Sequence, residues 1–134
     1  MSGKIIVSGK RKTAVAKAVI TSGTGKITIN KKELKNLQFL DKLRIEEPLK
    51  IAEKILGKTN FDIFIKVVGG GEKGQIEASR LAIARAIVKF TCSEDLRKAL
   101  DDYDRNLLVA DVRRKEAYKP GDSKARSKRQ KSYR

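Results

Sequence analysis

Hydrophobic and polar residues follow one another in short blocks along this chain, and the period of the pattern changes from block to block. From Lys4 to Val7 and again from Thr13 to Thr21 the residues are β-branched or small, broken by Gly9 and Gly23. That predicts two strands joined through Gly9-Lys10-Arg11-Lys12 as a basic hairpin tip. After the turn Ser22-Gly23-Thr24-Gly25, Ile27 and Ile29 alternate with Lys26, Thr28 and Asn30, which predicts a third strand paired to the second. Phe61, Ile63, Ile65 and Val67 repeat the two-residue period in a fourth.

Between the strands the period lengthens. Glu46 and Glu47 precede Pro48, and Ile51, Ala52, Ile55 and Leu56 then form a stripe that ends at Gly57, the order of signals that opens and closes a helix. Gln75 to Phe90 is apolar around much of its circumference, so it predicts the most buried helix, with Arg80, Arg85 and Lys89 escaping at its edges. Ser93 is placed to cap a third helix, with Glu94 and Asp95 in its positive first turn and Leu96, Leu100 and Tyr103 as its apolar stripe. Leu107 to Val109 form a last apolar patch. These elements make an α+β domain of about four strands with helices packed on one face, spanning residues 1–112. Residues 113–134 carry Pro120-Gly121 and no apolar periodicity, and predict an extended basic C-terminal arm.

Charge sharpens that division. The chain has 134 residues and a net charge of +16. Residues 1–20 hold five Lys or Arg and no acid, residues 21–112 hold 17 against 14, and residues 113–134 hold ten against Glu116 and Asp122. A nearly balanced middle between two cationic ends is not a uniformly solvated surface; it points to a polyanion. The final stretch KARSKRQKSYR has six basic residues and only Ala125 and Tyr133 to bury, too little to offset its ordering entropy by packing on itself.

Composition also closes off chemistry. One cysteine, Cys92, excludes an internal disulfide, and the absence of histidine removes the commonest metal ligand and general base. Cys92 therefore reads as a small residue at a helix junction. No apolar run approaches the roughly 18 residues needed to cross a bilayer, and MSGKIIVSGKRK lacks the apolar core of a leader, which predicts a cytosolic protein. Gly69, Gly71 and Gly74 satisfy G-x-G-x-x-G, yet the following segment SEDLRKALDDYDRN is polar and helical, so no second parallel strand completes a dinucleotide fold. Gln75-Ile76 stand where a P-loop requires Lys and Ser or Thr. The turn reads instead as backbone N–H groups and a helix start aimed outward, with Lys73 adding charge. Asp101, Asp102 and Asp104 read as a solvated helix face.

RNA is favoured over duplex DNA, because nothing in the chain resembles a helix-turn-helix, zinc finger or zipper, and extended arms suit phosphates that converge from several directions. An architectural DNA-binding protein and a nucleotide-dependent enzyme are the rivals.

Three blocks carry a resemblance: GKRKTAVAKAVITSGTGKITIN, VVGGGEKGQIEASRLAIARAI and the ending KARSKRQKSYR. In this order, from about Ile5 to Arg134, they resemble the S-nine family of small-subunit ribosomal proteins. Lys119-Pro120-Gly121 and the QKSYR ending are more similar to archaeal and eukaryotic members than to bacterial ones, and the compact N-terminus is closest to the archaeal form. The resemblance implies a domain like the second domain of ribosomal protein S-five, with a left-handed βαβ crossover where the general rule gives the right hand. It implies a non-enzymatic, cytoplasmic ribosomal component with no cofactor, metal or small-molecule substrate. Its partners would be small-subunit ribosomal RNA, neighbouring head proteins and the P-site transfer RNA, with no membrane. By position, the ribosomal-RNA-binding residues would be Lys10, Arg11, Lys12, Gly70, Gly71, Lys73, Gln75 and Arg80 in the body. In the arm they would be Arg113, Arg114, Lys115, Lys119, Lys124, Arg126, Lys128 and Arg129. The tip, Lys131, Ser132, Tyr133 and Arg134, would reach the anticodon stem-loop. Tyr133 stands where bacterial relatives typically have lysine, which leaves open whether a ring acts there in place of a second charge.

Overall fold

In the computed structural model, which describes residues 4–57 and 60–113, the alternating segments join in one sheet of five strands. They are β1 (Ile5–Arg11), β2 (Ala14–Ser22), β3 (Ile27–Ile29), β4 (Lys32–Glu33) and β5 (Phe61–Val68), in the order β1-β2-β5-β3-β4. Three helices complete the α+β architecture: α1 (Phe39–Leu56), α2 (Glu72–Thr91) and α3 (Glu94–Tyr103). The expected arm lies outside the described residues, apart from Arg113.

The first hairpin is tighter than its sequence implies. Arg11 pairs with Ala14, so Gly9, Lys10 and Arg11 belong to β1 and only Lys12 and Thr13 turn the corner. Lys12 sits at φ 55°, the left-handed value a two-residue hairpin demands. β3 departs further from expectation, because it pairs in parallel with β5 (Ile29 opposite Ile65) and not with β2. The cause is Asp62. Its Oδ1 accepts the backbone N–H groups of Thr24, Gly25 and Lys26 at 3.0, 3.1 and 2.9 Å, carrying the loop across the end of β5 to its far edge. The same three donors hold the Asp62 carboxyl below its ordinary pKa, Lys26 foremost. Gly23 leaves room for that carboxylate, since a Cβ there would overlap it. A fifth strand arises because Asn30 and Lys31, both at positive φ, fold β4 back on β3.

Alternation decides which side of the sheet is covered. Ala14, Ala16, Ala18 and Ile20 of β2 and Phe61, Ile63, Ile65 and Val67 of β5 are buried, while their intervening residues are not. α2 lies on this inner face against β1, β2 and β5, and α1 and α3 pack against α2. Small side chains let α2 come close. A Cβ on Gly9 would overlap the Ala78 carbonyl, so β1 can hold its place under α2 only with glycine there. α2 is the most buried helix, with nine buried residues including Ile76, Leu81, Ile83 and Ile87. Cys92 closes it at φ 52°, an exposed junction residue before Ser93, whose Oγ accepts the Leu96 N–H of α3.

Two expectations fail in the helices. α1 begins at Phe39, nine residues before Pro48, and the proline lies buried inside it. Proline resembles a helix start because it lacks an N–H, yet here only its bond to the Arg44 carbonyl is forfeited. Tyr103, expected in the α3 stripe, is exposed at the helix end; Leu96 and Leu100 are buried, and Leu107 in the single turn Arg105–Leu107 is buried beyond it.

Candidate nucleic-acid interface

At one end of the sheet, three segments that are distant in sequence meet. The chain leaves β5 through Gly69 and Gly70 at φ 76° and 67°, and a Cβ on either would press on the backbone of Thr13 or Ala14 at 2.6 and 2.9 Å. Glycine therefore lets the turn lie directly against the hairpin tip. The α2 start follows, and no side chain caps its N-terminus at Gly71. Gln75 braces the turn by donating from Nε2 to the Gly69 carbonyl at 3.0 Å.

Next to this junction is a cleft of about 260 Å³ lined by charge. Arg11 bonds to Glu77 through Nε and stands 3.3 Å from Asp111 through Nη1. Arg80 pairs through Nη2 with Glu47 of α1 and, at 3.3 Å, with Asp104. Arg44 also reaches Glu77, at 3.4 Å. Both Arg11 and Arg80 are only 15% exposed in their side chains, so their guanidinium groups face carboxylates in place of bulk water, with Arg11 Nη1 and Arg80 Nε making no hydrogen bond among the described residues. Arg113, the last described residue, is exposed and grips Asp111 through Nε and Nη2. Hydrogen bonding from Arg113, assisted by the charge of Arg11, pushes the Asp111 pKa down to about 2, and reciprocally raises that of Arg113.

The predicted body residues thus gather at one end but in two conditions. Lys10 and Lys12 are exposed and make no ion pair among the described residues. Gly70 and Gly71 are exposed in the turn. Lys73 does more than add charge: its Nζ donates at 2.9 Å to the carboxylate of Asp41, which is 2% exposed. Arg11, Arg80 and Arg113 are tied to acids of this chain. Arg114, Lys115, Lys119, Lys124, Arg126, Lys128, Arg129, Lys131, Ser132, Tyr133 and Arg134 lie outside the described residues.

Sequence reasoning missed the acids. Asp104, read as part of a solvated face with Asp101 and Asp102, instead binds Arg80 and accepts the Asn106 N–H, while its two neighbours are exposed. The signal was its place at the end of α3, where the chain turns back beside α2. Among the described residues no group of acids, cysteines or histidines is arranged to hold a metal ion.

The hairpin tip, the glycine turn and Arg113 thus meet at one corner of a basic α+β domain, and comparison with known proteins places that domain in the class of ribosomal proteins. The family description Ribosomal protein S9/S16 matches residues 9–134. A Thermoplasma volcanium protein, small ribosomal subunit protein uS9, is 51% identical over 97% of this chain and 98% of its own length. Proteins of the same name from Thermoplasma acidophilum and Methanococcus vannielii are 50% and 45% identical, covering 97% and 94% of this chain and 100% and 95% of their own. The chain belongs to the ribosomal protein S9/S16 family, and these relatives are archaeal.

Proposed function

We propose that this protein is a structural component of the small ribosomal subunit whose body binds ribosomal RNA of the head. Its C-terminal arm orders along that RNA until the tip contacts the anticodon stem-loop of P-site transfer RNA. The observation that carries this is the split of charge: residues 113–134 are net +8, while residues 21–112 are net +3 and four of their acids, Glu47, Glu77, Asp104 and Asp111, are paired with arginines of this chain. A segment so rich in cations gains order where its Lys and Arg displace condensed counterions from phosphates into solution. Asp111, held between Arg11 and Arg113, ties the last described residue to the body, which supports reading the arm as starting there. No catalytic step is assigned to any residue, and the protein works where ribosomes do, in the cytoplasm.

The reading is tested by assembling small subunits with the wild-type chain and with Arg134→Ala. Both proteins should co-sediment with the subunit, and the variant should release P-site transfer RNA faster. Failure of the wild type to co-sediment overturns the proposal; loss of both activities in the variant overturns the division between body and tip.

A further inference from the structure

The side of the sheet away from the helices carries an ordered pattern of its own. Strand register places Ile6, Val19, Phe64 and Thr28 side by side in one row across β1, β2, β5 and β3. The next row is Ser8, Lys17 and Lys66, and the one beyond it Lys10, Val15 and Val68. Rows two residues apart along a strand stand ~7 Å from one another. Ile6, Phe64 and Val68 are 65%, 48% and 57% exposed, and Lys10, Lys17 and Lys66 are exposed between them.

The chemistry of the face selects its occupant. The outward positions of the three long strands hold three lysines and one acid, Asp62, whose Oδ1 already receives three backbone N–H groups. A second copy of this sheet would set Lys17 and Lys66 against more lysine, and an apolar helix would bury them without partners. A nucleic-acid strand would not, since a base can stack on the Phe64 ring while its phosphates lie over the lysine row. We propose that this open face is a second RNA contact, in which an unpaired nucleotide stacks on Phe64 and Lys17 and Lys66 hold the adjoining phosphates. It rests on the reading of the body as an RNA binder and gives that body a contact away from the hairpin-tip corner.

The chain contains no tryptophan, so Phe64→Trp places a single tryptophan, excited apart from the three tyrosines, on this face. With the full-length variant, single-stranded RNA should quench the emission saturably, whereas inorganic polyphosphate, which offers charge without bases, should not. Phe64→Ala should weaken single-strand binding about 5- to 150-fold. Replacing Lys17 and Lys66 by Ala should flatten the log–log salt slope by about 1.4. Unquenched emission while filter retention still reports RNA binding overturns the sheet contact and leaves the broader function standing. Neither quenching nor retention sinks both. A blue shift that grows with protein concentration in the absence of RNA assigns the face to a second copy of the chain and also overturns the proposal.

Discussion

On the helix side of the sheet Arg11 and Arg80 each meet two carboxylates, whereas on the open side Lys10, Lys17 and Lys66 meet none among the described residues. Arg11 and Lys10 are neighbours in sequence, and the two-residue period of β1 alone sends them to opposite fates. A cation solvated by two acids is costly to separate from them and offers little to a phosphate; a lysine in water exchanges counterions readily. Net charge therefore overstates the ligand capacity of the body. Residues 113–134 differ in composition, with ten basic residues and two acids.

The largest effect expected from this contrast is on binding. Deleting Lys124–Arg134, which removes six basic residues, should lower the log–log salt slope for RNA by about 4 and leave folding stability within about 0.5 kcal/mol. Salt titration and thermal melting of the same preparation check both halves, and a large fall in melting midpoint would move the domain boundary. Next come single residues of the body. Arg80→Ala strands Glu47 and Asp104, both still partly in water, and should cost about 2 kcal/mol in urea denaturation. Lys12→Ala should cost less than about 0.5 kcal/mol but lower the salt slope by about 1. Equal stability losses for the two would erase the distinction.

The smallest effect is acid dependence. Asp111 and Asp62 have folded pKa values below their unfolded ones, Asp111 at about 2. The Asp111 contribution to stability is therefore complete above about pH 4 and is lost as pH falls toward 2, and that of Asp62 is lost in the same direction. Asp111→Asn should flatten that acid limb in denaturation curves taken from pH 5 to pH 2. An unchanged limb would mean that the Arg113 contact contributes nothing to the fold.

Much of this was legible in the chain wherever the cause was local. The alternation of β5, the apolar girth of α2 and the Ser93 cap are written in adjacent residues, and the elements appeared where those patterns placed them. What was not legible depended on partners far along the chain. Pro48 looked like the start of a helix because its missing N–H is silent about whether a turn precedes it. The partner of β3 was decided by Asp62, over thirty residues away, and the pairing of Arg11 and Arg80 by acids on α1, α2 and the segment after α3. Charge patterns name a residue type; they do not say which cations have been neutralised from within.

The crossing of the β2–β3 loop over β5 imposes an order of events on a chain made from its N-terminus. β1 and β2 are joined by two residues and can zip together as soon as they emerge. Ile27–Ile29 cannot take their place then, because the strand that separates them from β2 has not been synthesised. The Asp62 carboxylate that clasps their loop is also still to come. The sheet is thus completed only when its central strand, the last to be made, arrives between the β1–β2 hairpin and the earlier segment held in waiting.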